Sequence, residues 1–273
     1  MKFENTYVSN FEGALRGMRN PLASWNKSDS SFKIDNFDNM DDYEISYEWL
    51  DKLYPNLELG SNEYLDKSDD IAEWLRKNGI IRQYNNYETV ECAYIGPNDM
   101  DLAMRLCKAG PEHRKFLRQI QVSVDITAPI YWWKEFDTYK VGTAANSTST
   151  MHKLASTPIT MDCFELDDYD DRLQLIDPQH LDVRVNSFLN DLEQLRQLYN
   201  QTKDKRYWKE LVRWLPEGWL QKRTVTMNYE NLRAICHQRG GHKLTEWHQF
   251  IDWAHDCIPY APQLVFDEEV AFN

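Results

Sequence analysis

The stretch from Gly142 to Thr150 reads Gly-Thr-Ala-Ala-Asn-Ser-Thr-Ser-Thr, with five hydroxyls and an asparagine in its last eight residues. Hydroxyls and free backbone N–H groups are what a phosphate or a ribose needs, because both ligands present oxygens to be held. Lys134 and Lys140 lie shortly before it and bring positive charge. Asn146, Ser147, Thr148, Ser149 and Thr150 are therefore candidate ligand contacts. A polar surface turn is the competing reading of the same residues.

A second candidate is Arg239, which follows Cys236-His237-Gln238 and precedes Gly240-Gly241. An arginine at a helix end often only caps the last carbonyls. Two adjacent glycines, however, let a ligand approach the backbone closely. A third candidate is His113, flanked by Glu112, Arg114 and Lys115 just ahead of a strand. A lone histidine is more often structural or simply exposed. His242, His248 and His255 are spaced by six and seven, which does not match i,i+4 zinc ligands on one helix face, so no metal site is expected. The acidic run 165–171 reads as a solvated loop. No Gly-x-x-x-x-Gly-Lys, Gly-x-Gly-x-x-Gly or Gly-x-Ser-x-Gly occurs. That excludes a Walker loop, a Rossmann-type dinucleotide site and a motif-based hydrolase. Cys236 beside His237 is too weak a pair to support a reactive thiol.

The elements that must hold these residues follow from periodicity. Apolar residues at 120, 122, 124 and 126 alternate with polar ones, which predicts a strand with one face buried. Pro129 then opens a helix over 130–141 with Ile130, Trp133 and Phe136 at helical spacing. A long helix over 181–200 presents Val185, Phe188, Leu192, Leu195 and Tyr199 on one face. A helix over 205–215, a short strand at 224–227 and helices over 229–239 and 243–258 complete the C-terminal half. Upstream, Asn98 and Asp99 are expected to cap a helix running to Ala109. Helical patterns are also expected within 36–60 and 69–78, whereas 1–35 suits turns and ligand contacts. This order of strands and helices predicts an α+β fold, a mixed or antiparallel sheet packed with long helices, in one domain over 1–273.

The chain has 273 residues, 44 acidic and 31 basic, for a net charge of -13. Such a charge repels a nucleic-acid backbone, so duplex nucleic acid is excluded as the main partner, while a local basic pocket still suits a free nucleotide. The 10 Trp, 15 Tyr and 11 Phe supply a sizeable core. The odd count of 5 cysteines, without a Cys-x-x-Cys pair, suits buried free thiols in a reducing compartment. No stretch has the roughly 18 apolar residues of a membrane helix. The opening Met1-Lys2-Phe3-Glu4-Asn5 has no apolar signal core, and a cytoplasmic location is expected.

The segment His113 to Lys153 resembles the centre of the flavin-dependent thymidylate synthases, the ThyX family. In that family a histidine precedes a strand, and an Ala-Pro-Ile-like start opens a helix leading to Arg-His-Arg-x-x-Ser and then a loop with Asn, Ser and Arg. The opening here is Ala128-Pro129-Ile130-Tyr131. Ala14-Leu15-Arg16-Gly17-Met18-Arg19 is similar to the family's early Ala-x-Arg-x-x-Arg, and Leu215-Pro216, Asn228 and Arg239 fall on late family positions. Segment 25–110 is divergent or inserted. The charged positions depart: Thr138, Tyr139 and Lys140 stand for Arg-His-Arg, Glu135 for a Gln, Thr143 for the following Ser, Thr148 for the loop Ser, Thr150 for the loop Arg, and Glu230 for the Arg of Val-Asn-Ala-Arg.

The resemblance implies reductive methylation of dUMP by FAD, with NADPH and a reduced folate as co-substrates, in a homotetramer whose sites lie between subunits. It implies that Arg239 polarises the pyrimidine carbonyl. Lys134, Glu135 and 146–150 would hold the nucleotide, with Arg213 one residue from a further nucleotide-binding Arg. His113, Lys140, Thr143 and Asn228 would line the flavin. A charge-assisted hydrogen bond contributes about 1.5–3 kcal/mol, so each Arg-to-Thr change is expected to weaken phosphate binding roughly 10- to 100-fold. Three readings follow: a flavin-dependent transferase on a dUMP-like pyrimidine nucleotide, with a changed nucleotide substrate; a non-catalytic nucleotide-binding protein; and a structural oligomer.

Overall fold

The computed structural model describes residues 1–35, 61–62, 64, 90–166 and 178–268. The helical patterns expected within 36–60 and 69–78 and most of the acidic run 165–171 lie outside the described residues. The fold is α+β. By internal packing the chain forms two compact units, 1–5 with 124–226, and 6–123 with 227–273.

The four-stranded sheet, most of whose residues fall in the first unit, has the strand order β1 (Lys2–Ser9), β4 (Gln121–Pro129), β6 (Leu220–Asn228), β5 (Ala144–Ser147). Val122, Val124, Ile126 and Ala128 of β4 are fully buried and alternate with partly exposed neighbours, as the period-two pattern requires. Pro129 then sits extended and starts helix α3 (Ile130–Phe136), whose first N–H groups bond to the Trp219 and Glu217 carbonyls at 3.1 Å. The helix stops five residues earlier than its periodicity predicts. Thr138 and Tyr139 fold back onto the Glu135 and Phe136 carbonyls in a tight turn, so Lys140 lies beyond the helix, and Gly142 follows with φ 80. The hydroxyl-rich stretch is likewise not a plain loop. It forms β5 and the short helix α4 (Thr150–Lys153). Helices α5 (Pro178–Thr202) and α6 (Lys205–Trp214) pack together around a core of Leu154, Ile159, Leu189, Leu192, Leu211 and Trp219. Phe188, expected on the buried face, is exposed, and Leu189 takes the core position.

In the second unit α1 (Phe11–Arg19) buries Phe11, Ala14, Leu15 and Met18. Strands β2 (Ser31–Asp35) and β3 (Val90–Tyr94) pair antiparallel. Helix α2 (Pro97–Ala109) is capped neither by Asn98 nor by Asp99. Its N-cap is Gly96, and the Asp29 carboxylate accepts from the Asn98 and Asp99 N–H groups at 2.8 and 3.1 Å. A Cβ on Gly96 would lie 2.5 Å from the Asp29 carbonyl, so this approach requires glycine. Helices α7 (Tyr229–Arg239) and α8 (Thr245–Cys257) pack on each other, and α9 (Ala261–Leu264) closes the unit. Tyr229 and Tyr260 meet the Phe11 ring edge-on at 5.7 and 5.6 Å.

Candidate functional site

Strand β5 pairs with β6 antiparallel, with Asn146 opposite Thr224 and Ser147 opposite Arg223. Residues directly opposite point to the same side of a sheet, so Ser147 shares the face of Arg223 and Asn146 the face of Thr224. On Thr224's face Asp125 accepts from Thr224 at 2.6 Å and Asn5 at 2.9 Å, and Lys222 bridges Asp125 and Glu4 at 3.2 Å each. The bonds from Thr224 and Asn5, then Lys222, hold the Asp125 carboxyl below the usual carboxylate range.

On the other face the Arg223 guanidinium lies 4.3 Å from the Trp133 ring centroid, a cation–π contact. It donates from Nη1 to Asp137 at 2.7 Å and from Nε to Gln221 at 3.0 Å. Gln221 in turn donates to the Thr148 carbonyl and the Thr150 hydroxyl, both at 3.1 Å. Arg223, Gln221 and Asp137 were not singled out in the sequence. The signal available was alternation extended backwards from Val225 and Met227, which puts Arg223 and Gln221 on the face of the buried Trp133.

The hydroxyl stretch is only partly available to a ligand. Thr148 donates to the Lys222 carbonyl at 3.1 Å, Thr150 accepts from Gln221, and Thr143 donates to the Tyr139 carbonyl. Ser149 is the N-cap residue of α4 without a side-chain cap bond. Asn146 and Ser147 are exposed. Lys134 is exposed and pairs with Glu217. Glu135 is half-buried on α3. Arg213 sits on α6 and pairs with Glu210, not with the β5 region.

His113, Asn228 and Arg239 belong to the second unit. Arg239 ends α7, half-buried, with its guanidinium 4.5 Å from the Trp247 ring centroid. Asn228 caps α7: its side chain accepts from the Asn231 N–H at 2.9 Å, and Asn231 accepts in return from the Asn228 N–H at 3.4 Å. His113 is exposed in a turn, 3.6 Å from Glu112. Next to it Arg114 pairs with Glu230 at 2.8 Å, both mostly buried. The acid at 230 is therefore accommodated by a base at 114. Arg19 is buried against Asp99 at 2.5 Å, with Ser28 and Ser30 donating to the other Asp99 oxygen. Arg19 thus serves the fold, and with Phe11, Ala14, Leu15 and Met18 buried, part of 1–35 is core, where turns were expected.

Burial pushes the Cys107 and Cys236 thiols up to about 12, so neither is a nucleophile at neutral pH. Cys163 is half-buried and Cys257 exposed, unlike the buried thiols expected. A cavity of about 430 Å³ in the first unit is lined by Met161, Phe164, Leu166, Val185, Phe188 and Leu189, with Pro216 and Gly218. It offers no charged side chain to a nucleotide. Among the described residues no group of three metal-ligating side chains occurs, and no helix is long and apolar enough to cross a membrane.

The whole chain superposes on a flavin-dependent thymidylate synthase ThyX from Helicobacter pylori, solved in complex with FAD and dUMP. The TM-score is 0.57 at 13% identity, covering 98% of this chain and 99% of that one. The fold is ThyX-like. A second structure of Helicobacter pylori ThyX, also with FAD and dUMP, overlaps less, with a TM-score of 0.47, 16% identity and coverage of 63% and 83%. No protein-family model and no curated protein matches the chain. Of the four side chains that the sequence resemblance assigns to a flavin, the Thr143 hydroxyl and the Asn228 carbonyl are committed to the chain's own backbone. The His113 ring, the Lys140 ammonium and the Asn228 carboxamide N–H₂ remain. Each of these donors, taken singly, is of a kind that the carbonyls or diphosphate of FAD accept from, with less positive charge than an Arg-His-Arg triplet.

Proposed function

We propose that this chain is one ThyX-like domain over 1–273 that binds a pyrimidine nucleotide of the dUMP type and works with FAD in thymidylate-synthase-like methyl transfer. What supports the reading is the likeness of fold along the whole chain to a protein solved with FAD and dUMP. Arg239 is the residue assigned to the pyrimidine carbonyl. Half-buried on an indole face, its charge is partly desolvated and acts more strongly on a developing negative charge than it would in water. His113, Lys140 and Asn228 would hold the flavin, which when bound supplies the hydride chemistry. Lys134, Glu135 and Asn146–Thr150 would orient the nucleotide. NADPH and a reduced folate would be co-substrates, and a homotetramer in the cytoplasm the working form.

A second reading, nucleotide binding without catalysis, is favoured by Thr143 and Asn228, whose oxygens already serve the backbone. The test is to titrate the purified chain with FAD, following the visible flavin spectrum, and with dUMP, following the melting temperature. Flavin bound near one per subunit together with a rise in Tm on adding dUMP supports the redox reading. A protein that ignores FAD and is stabilised by dUMP supports the second. A protein indifferent to both sinks each of them.

A further inference from the structure

An arginine has five N–H donors in a planar fork. Arg223 uses one toward Gln221 and one toward Asp137, and among the described residues it makes no other hydrogen bond. Three donors are thus left on a guanidinium whose side chain is only 16% exposed. None of these nitrogens is a buried atom without a partner, so they are accessible to water or to a ligand. The fork is not free to turn away. Trp133 supports one face, Asp137 and Gln221 fix its in-plane orientation, and Gln221 ties it to the Thr148–Thr150 turn. Ser147 stands directly across the strand pair on the same face, exposed and with no side-chain bond among the described residues.

We infer that Arg223, with the Ser147 hydroxyl, forms a phosphate subsite and is the specificity-determining cation of the nucleotide site, in place of the loop arginine that Thr150 lacks. This rests on the nucleotide reading above and adds a residue to it. A planar fork beside a hydroxyl matches the oxygens of a phosphate monoester better than a point charge would. Asp137, exposed beside the same guanidinium, competes with the phosphate for it. Removing that negative charge therefore tightens binding.

The test measures affinity of the full chain for dUMP, for deoxyuridine and for inorganic phosphate, in the wild type and in Arg223→Gln, Ser147→Ala and Asp137→Asn, with Tm recorded for each. The expected result is a preference of wild type for dUMP over deoxyuridine, falling about 10- to 100-fold in Arg223→Gln and less in Ser147→Ala, in line with a charge-assisted hydrogen bond. Asp137→Asn should bind dUMP more tightly and leave deoxyuridine unchanged. Arg223→Lys should recover only part of the preference. A preference kept in a folded Arg223→Gln overturns the subsite and leaves the nucleotide reading standing. Equal binding of dUMP and deoxyuridine by wild type does the same. Should Arg223→Gln fail to fold, Ser147→Ala and Asp137→Asn decide, and an unchanged preference in both overturns the subsite. A wild type that binds neither dUMP nor deoxyuridine overturns both the reading and the subsite.

Discussion

Arg19 and Arg233 in the second unit are 5% and 7% exposed, whereas the Lys134 and Arg213 side chains in the first are 59% and 50% exposed. All four pair with carboxylates. Arg19 meets Asp99, Arg233 meets Asp267 and the Leu264 and Val265 carbonyls, Lys134 meets Glu217 and Arg213 meets Glu210. The buried pairs tie together segments far apart in the chain, Arg19 with Asp99 alongside the Ser28 and Ser30 bonds to the same carboxylate. The exposed pairs are screened by water and are easily exchanged for a ligand. A cation's role is therefore set by its burial. Arg19 serves the fold here, while Arg223 stands between the two classes.

The strongest way to break this contrast is Asp99→Asn, which leaves Arg19 buried without its counter-charge. Urea unfolding should show a loss of about 3–5 kcal/mol, and the double variant Arg19→Met with Asp99→Leu should recover much of it. A loss under about 1 kcal/mol for the single variant would put Arg19 with the surface cations. Arg233→Met comes next, at about 1.5–3 kcal/mol, because the Asp267 side chain is 26% exposed where that of Asp99 is 0%. Hydrogen exchange should locate the lost protection at 264–268.

The two units should also fail at opposite ends of the pH scale. In the first, bonds from Arg196, then from the Ile159 N–H, pull the Glu193 carboxyl down from 4.5 to about 2. A lowered folded value stabilises above the unfolded one, so this contribution is complete above about 4.5 and is lost as pH falls toward 2. In the second, Asp256 and then Glu268 raise the His255 imidazole above 6.5. A raised folded value works the other way: the contribution is complete below about 6.5 and disappears as pH rises through the folded value. Thermal melts across pH should show Glu193→Gln flattening the acid limb and His255→Gln the alkaline one. The smallest effects are expected for Lys134→Ala and Arg213→Ala, each within about 0.5 kcal/mol in the same unfolding assay.

Much of the architecture was legible because it is local. The alternation at 120, 122, 124 and 126 marked β4, and α7 was bounded at 229–239 by its own periodicity and the glycines after it. Strand β5 was not legible, since Ala-Ala-Asn-Ser carries no alternation and all four residues are exposed on the sheet edge. Of the candidate site around β5, the sequence singled out the 146–150 stretch and missed Arg223, Gln221 and Asp137; in the second unit it singled out Arg239.

By itself, then, the sequence determined the α+β class, the main strands and helices and the stretch richest in ligand-binding groups, because periodicity and turn chemistry act over a few residues. Only the tertiary structure decided which of those groups are already spent. Thr148 and Thr150 are bound by residues about seventy positions away, and Arg19, Arg223 and the start of α2 meet Asp99, Asp137 and Asp29 at separations of 80, 86 and 69. Whether a polar side chain is a contact for a ligand or a tie for the backbone depends on such distant partners, and no local pattern encodes them.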